Sequence, residues 1–477
     1  MTDSEIDVAA FARRVTAFLD RLETLATDQG EDSFAAEFTA HLGFDPLTAD
    51  PVSRTFPQWR HADLDQAVEQ VLGPTASTLG ISDGDPEYTL TDLVVNRGGI
   101  YRPSAVARQS VQVGPRQQRR VVSEAVYLFT WEQRPVVLLQ HSAGDYGVPE
   151  LRVEVLCADP DSAQRLLDEV AERIDAQSVL RGQVMTLGAP LFEPVGASMM
   201  TFHERPEVPE SSVILPHGLL GQLHRHVVGL SALAEPLRQA GQHLRRGVLL
   251  YGAPGTGKTH TVRHLIGAAP EATVLLLTGE ALVSISLAAQ TARALQPAIV
   301  VLEDCDLVAE DRELSADGRP LLFELLDCLD GEGGDADIAF VLTTNRISVL
   351  EPALTQRPGR IDLAVEIPRP DLAARTALFG LYAAGTGFSE TARRTAAEQT
   401  EGITASFVRE AVRRAVVTAL AESRDPEDAD LLSAVEQLST DQEHLAAALS
   451  SAEDGFGGEF EADYDEEPHG IEGEHWA

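Results

Sequence analysis

Gly247-Val248-Leu249-Leu250-Tyr251 runs straight into Gly252-Ala253-Pro254-Gly255-Thr256-Gly257-Lys258-Thr259-His260. The first five residues read as a short apolar strand. Thr259–Ala268 reads as a helix opened by the loop between them. The loop fits G-x-x-x-x-G-K-[ST] at every fixed position. A strand, a Gly-rich loop and a helix in this order place backbone N–H groups and a helix N-terminus around a phosphate.

Lys258 is the only lysine among 477 residues; the other 36 of the 37 basic residues are arginine. A phosphate cradle built from backbone N–H groups admits a compact ammonium on a thin stem and excludes a planar guanidinium. The expected nucleotide-binding set is Gly252, Ala253, Pro254, Gly255, Thr256, Gly257, Lys258, Thr259 and His260. Lys258 would neutralise β/γ-phosphate oxygens and Thr259 Oγ would ligate Mg²⁺, which makes ATP and Mg²⁺ the expected cofactors.

Further buried strands are expected at Ala272–Leu277, Ala298–Leu302 and Ile338–Leu342, separated by helical stretches. Apolar strands alternating with helices imply an α/β fold with a doubly wound parallel sheet. The strand Ile299-Val300-Val301-Leu302 ends in Glu303-Asp304. One carboxylate is suited to orient Mg²⁺ through water and the other to polarise the attacking water. Thr343-Thr344-Asn345 follows the next strand, and the Asn345 amide can position water there. Arg357-Pro358-Gly359-Arg360 sets two arginines three apart on a rigid turn, suited to stabilising charge on a transferring phosphoryl group in a neighbouring subunit.

Together these elements resemble the AAA family of the AAA+ ATPases over roughly Ser212–Leu449. Walker A corresponds to Gly252–Thr259, Walker B to Ile299–Asp304, sensor 1 to Asn345, and the second region of homology to Thr343–Asp362. Leu350-Glu351-Pro352-Ala353-Leu354 and Arg357-Pro358-Gly359-Arg360 are similar to that family's "L-D-P-A-L … R-P-G-R" stretch, with Glu351 for the usual Asp. The resemblance implies an α/β ATPase domain over 212–370, a helical lid over 371–450, usually a homo-hexameric ring, and Arg357 and Arg360 as fingers acting in trans. Gly402-Ile403-Thr404-Ala405-Ser406-Phe407 resembles the start of the lid helix that contacts nucleotide.

Two departures from the family pattern matter. Walker B usually reads Asp then Glu, and this chain reads Glu303 then Asp304, an order similar to the mitochondrial complex III assembly ATPase subset. By position Glu303 takes the metal role and Asp304 the water-polarising role. A carboxylate one methylene shorter sits roughly 1.5 Å further back, which points to slow turnover. Threading members carry an aromatic-hydrophobic-Gly tripeptide where this chain has Leu282-Val283-Ser284-Ile285-Ser286-Leu287, with Val283 and Ile285 left as a weak apolar grip. The expected function is ATP hydrolysis in a ring-forming remodeller of protein clients. The rival is a slow ATP-gated scaffold or switch that threads nothing.

The net charge of −38 repels phosphodiester backbones, so no nucleic-acid partner is expected. Three cysteines without a C-x-x-C spacing read as reduced core thiols, and the absence of a leader or a long apolar run gives a cytoplasmic expectation without membrane. Residues 1–75 carry helical spacing, as in Ile6, Phe11, Val15, Phe18, Leu22 and Leu25. Residues 76–120 read as loop or linker and 121–190 as a small α+β domain, either a recognition module or a plain structural one. Residues 191–211 read as a linker. Residues 451–477 hold ten acids and no lysine or arginine and read as a disordered tail, solvated or carrying aromatic docking anchors.

Overall fold

The structure, a computed structural model, describes residues 33–82, 88–96, 100–143, 150–188, 200–306, 327–328, 336–348 and 361–455. The chain clusters into two units, residues 1–253 with 257–367 and residues 254–256 with 368–477.

The first unit begins with α1 (Phe34–Leu42), β1 (Val52–Pro57), α2 (His61–Val71), β2 (Ser77–Ile81), α3 (Leu90–Val95), β3 (Pro103–Ser104), β4 (Ala107–Gly114), β5 (Gln117–Trp131), β6 (Arg134–Ala143), β7 (Glu150–Leu156) and α4 (Pro160–Ala176). These strands form an antiparallel sheet in the order β1-β7-β6-β5-β2-β3, with β4 paired to β5. The two-residue pleat of β5 sends Ala125, Tyr127 and Phe129 into a core with α2 and α4. It sends Val126 and Leu128 into a second core with α1 and α3. Cover on both faces explains why the middle of β5 is apolar without a break.

Here the structure departs from the sequence reading. β1 interrupts the helical expectation for 1–75, and the stripe from Ile6 to Leu25 lies outside the described residues. The stretch read as a linker, 76–120, holds β2, α3, β3 and β4. β4 escaped the pattern because Arg108, Gln109, Ser110 and Gln112 are exposed, so no apolar alternation marks it. Its ladder with β5 holds it in place. α3 is set by a capping box in which Thr89 and Asp92 satisfy each other's backbone N–H.

The same unit continues with β8 (Val184–Leu187), β9 (Met200–His203), α5 (Leu219–Val227), α6 (Ala234–Gln239), β10 (Arg246–Tyr251), α7 (Lys258–Gly267), β11 (Thr273–Leu277), α8 (Ile285–Ala294), β12 (Ala298–Leu302), β13 (Ile338–Thr344) and β14 (Leu363–Glu366). The second sheet runs β14-β10-β13-β12-β11-β8-β9. All its pairs are parallel except β8 with β9. α8 packs in the core on one face; α5 and α7 pack in the core on the other.

β8 and β9 extend this sheet, whereas the sequence reading gave 184–187 to the small α+β domain and 191–211 to a linker. Arg205 shows what fixes this segment. Its Nη1 donates to the carbonyls of Ile266 and Ala269 at 2.7 and 2.9 Å, and its Nη2 to those of Gly182 and Ala272 at 2.9 and 2.7 Å. One guanidinium thus ties the end of α7 to the entrance of β8, a task for a planar fork and not for an ammonium. Arg246 works similarly. It donates to the carbonyls of Val227 and Leu244, to Ser231 Oγ, and to Asp337 Oδ1 at 2.7 Å, with both charged side chains buried.

In the second unit, α9 (Leu372–Tyr382), α10 (Glu390–Gln399), α11 (Ala405–Ala421) and α12 (Asp428–Gly455) follow one another. Asp371 and Ser389 cap α9 and α10 through their side-chain oxygens. Buried Ala392, Ala396, Ala411, Ala415 and Ala419 fill the core beside Phe379 and Phe407. Tail residues 456–477 lie outside the described residues.

Candidate nucleotide site

β10, β12 and β13 are adjacent, and their C-terminal ends come level, with Tyr251 beside Thr344 and Leu302 beside Leu342. Open α/β sheets bind ligands beyond this carboxyl edge. The Gly-rich loop leaves β10 there. Gly252, Gly255 and Gly257 take φ of 149°, 77° and 110°, the left-handed side that a Cβ disfavours. Gly257 is the N-cap of α7, so Lys258 and Thr259 fill its first turn. A Cβ at Gly257 would meet nothing within 4 Å, so the space before the helix terminus is open.

Lys258 is buried and bound by three oxygens. Its Nζ donates to the carbonyls of Gly252 at 2.8 Å and Ala253 at 3.1 Å, and to Asn345 Oδ1 at 2.7 Å. Burial lowers its pKa, and the negative charges of Asp304 and Asp306 oppose that shift. Asn345 turns its other end to Asp304: Nδ2 donates to Oδ1 at 3.1 Å. These two bonds fix which end of the amide faces which partner. Asp304 has φ of 54°, a left-handed conformation that Asp adopts more readily than most residues. Its N–H donates to Thr343 Oγ1 at 3.1 Å, and the N–H of Cys305 donates to the Thr343 carbonyl at 2.9 Å, so the turn after β12 is pinned to β13.

Asp306 was not among the residues the sequence singled out. It is buried and accepts from Thr344 Oγ1 at 3.0 Å and from the N–H of Asn345 at 3.2 Å. Burial pushes its carboxyl up, and the N–H of Asn345 and the Thr344 hydroxyl outweigh that, leaving it below the ordinary value of 3.8. The signal was present as a third acid in Glu303-Asp304-Cys305-Asp306.

Thr259 is exposed at the first turn of α7 and Glu303 half-buried at the end of β12. A hydroxyl and a carboxylate form an all-oxygen donor set that suits Mg²⁺. The ammonium, the open helix terminus and these oxygens together fit a nucleoside triphosphate with its metal. His260 points elsewhere: its Nε2 lies 3.1 Å from the Ser212 carbonyl and 3.3 Å from Ser212 Oγ, tying the segment before α5 to α7. In the second unit, the N–H of Ser406 donates to the Gly255 carbonyl at 3.1 Å. Arg357 and Arg360 lie outside the described residues.

The family model for the ATPase family associated with various cellular activities (AAA) matches residues 248–369. The chain carries an AAA domain. The matched span runs from β10 past β14 and includes Lys258, Asp304 and Asn345. Curated relatives are similar to part of the chain. The ATP-dependent zinc metalloprotease FtsH 2 of Sphaerobacter thermophilus is 31% identical over 217 residues, 43% of this chain and 33% of that protein. The 26S proteasome regulatory subunit 4 homolog of Dictyostelium discoideum is 35% identical over 159 residues, 30% of this chain and 36% of that protein. The proteasome-activating nucleotidase of Saccharolobus solfataricus is 30% identical over 249 residues, 46% of this chain and 62% of that protein. The chain therefore spans between 33% and 62% of the length of these relatives. No group of three or more His, Cys, Asp or Glu among the described residues could hold a metal ion, and no described helix is long and apolar enough to cross a membrane. The three cysteines are buried and form no disulfide, and burial pushes the Cys305 thiol up to about 12.

Proposed function

We propose that the AAA domain hydrolyses ATP, and that the chain assembles into a ring that remodels protein partners. The observation that carries this is the Asn345 amide, which joins Lys258 Nζ to Asp304 Oδ1. It links the group that meets the γ-phosphate to the group that polarises water. Lys258 and the N–H groups of Gly255–Thr259 hold the phosphates against the terminus of α7. Thr259 Oγ and Glu303 would hold Mg²⁺, which would neutralise phosphate charge when bound. Asp304 takes a proton from the attacking water while Asn345 orients that water. Arg357 and Arg360 of a neighbouring copy stabilise charge on the transferring phosphoryl group. Relatives named as a proteasome-activating nucleotidase and an ATP-dependent protease support work on proteins. The test is native mass measurement of Asp304→Asn with ATP: a closed oligomer with co-purifying protein supports the reading, and a monomer contradicts the ring.

A second reading, the slow scaffold or switch, is favoured by the segment that would grip a threaded chain. Leu282 and Ile285 are buried in the core around α8, so Ile285 does not offer the apolar grip expected of it. Pulling of a fluorescent model substrate by the assembled protein separates the two readings.

A further inference from the structure

Between Asp92 and Glu124 the chain carries six arginines and no acid, although 75 of its 477 residues are acidic. This run builds the hairpin of β4 and β5. Ser110 pairs with Arg120 and Gln112 with Gln118, so these four side chains share one face, and Arg108, two residues before Ser110, joins them. All five are exposed. The opposite face is held by α2: Gln109 Nε2 lies 3.2 Å from His61 Nδ1, and Arg119 Nη1 donates to Gln66 Oε1 at 2.6 Å. Arg116 already meets Glu204 at 2.5 Å, and Arg119 meets Glu69 at 3.4 Å. Arg108 and Arg120 meet no acid among the described residues.

β4 pairs with β5 and with no other described strand. Ala107, Arg108, Gln109 and Ser110 are exposed in succession, so the outer edge of β4 offers main-chain N–H and C=O groups to solvent. An open edge takes up an extended chain, with affinity from main-chain bonds and specificity from alternate side chains. Guanidinium groups favour carboxylates as partners. A second copy of β4 would set arginine against arginine. Nucleic acid fits no better: no aromatic residue lies between Arg102 and Arg120 to stack on bases, and the net charge of −38 repels phosphodiesters. The complement is a strand with an acid at every second position.

We propose that β4 docks an extended acidic segment of a partner protein, which adds a strand to the sheet and turns alternate carboxylates toward Arg108 and Arg120. This rests on the proposed action on protein partners and gives one chemical class of partner. It requires neither nucleotide nor any residue of the nucleotide site.

The experiment is fluorescence anisotropy of labelled probes with the full chain and no nucleotide, so its failure is distinguishable from a failure to hydrolyse ATP or to form a ring. The probe is a decapeptide of alternating threonine and glutamate. It is compared with a threonine–glutamine decapeptide, with the acidic peptide N-methylated throughout, and with a short oligothymidylate. The acidic peptide is expected to bind saturably, at least about tenfold more tightly than either peptide control. Arg108→Gln with Arg120→Gln should weaken it about tenfold, as for two exposed ion pairs. Arg108→Glu with Arg120→Glu should instead capture a threonine–lysine decapeptide. Circular dichroism melts establish that both double variants are folded, and the peptide comparison on the unmodified chain decides the matter if they are not. No saturable binding of the acidic peptide would overturn the proposal. So would equal binding of the glutamine or N-methylated peptide, unchanged affinity in the folded glutamine variant, or tighter binding of the oligothymidylate. Acidic-peptide binding that appears only after deletion of residues 456–477 would give the face to the chain's own acids and overturn it too.

Discussion

The buried carboxylate of Asp306 accepts the N–H of Asn345 at 3.2 Å, and this bond sets where the Asn345 side chain reaches. Asp306 also accepts from Thr344 Oγ1, so the end of β13 is held at two successive residues. Asp306→Ala frees that turn. A misplacement of about 1 Å can lower a rate by about a hundredfold, so kcat for ATP should fall by about ten- to a hundredfold with KM little changed. Asp306 also gives a pH signature. Its folded pKa is depressed, so its contribution to stability is fully present above 3.8 and is lost as pH falls through the lower folded value. Asp306→Asn should flatten the acid limb of the stability curve below about pH 4, read by urea midpoints between pH 2 and 6.

Lys258→Arg keeps the charge and matches every other basic residue in the chain. The planar group does not fit between the carbonyls of Gly252 and Ala253 and Asn345 Oδ1. ATP turnover should fall by at least about a hundredfold, in the range seen when a positioned charge is lost. Phosphate release under saturating Mg-ATP measures it, and normal turnover would mean that the solitary lysine carries no special role.

Asp304→Glu restores the family's longer acid but not the backbone that carries it. The φ of 54° suits Asp, and a Glu there is strained by about 1 kcal/mol. The added methylene also carries the carboxylate past Asn345 Nδ2, so this site is built around the shorter acid. We expect a lower urea midpoint and a kcat reduced by about five- to tenfold. A faster enzyme of unchanged stability would show that Asp304 alone limits turnover.

Asp337→Ala removes the partner of Arg246 and leaves a buried guanidinium short of an anion. Breaking a buried pair costs about 3–5 kcal/mol. Chemical denaturation should show a loss of that size, and Arg246→Lys with Asp337 intact should also lower stability, since an ammonium cannot reach Val227, Leu244, Ser231 and Asp337 together.

The legible parts of the sequence were those where one local pattern has one physical meaning. Gly252–Thr259 needs left-handed glycines and a helix terminus, and it has both. β12 and β13 are buried throughout and β11 at all but Leu276, and they read as apolar runs. β8 was read with the small α+β domain because four residues name a strand and not its partner; Arg205 and the ladder with β11 set its place over long sequence distances. β4 was missed because an exposed polar strand carries no apolar period. Asp306 was missed because its role is to hold backbone 39 residues further along the chain, and spacing alone does not reveal that.

The most direct measurement compares ATP turnover of the intact chain with that of Asp304→Asn, alongside nucleotide affinity of both. Asp304 accepts from Asn345, and an amide in its place cannot take a proton from water. The account predicts Mg-dependent phosphate release by the unmodified chain, and a loss of at least about a hundredfold in the variant with ATP still bound. No turnover in the unmodified chain, or an unchanged rate in Asp304→Asn, would contradict it.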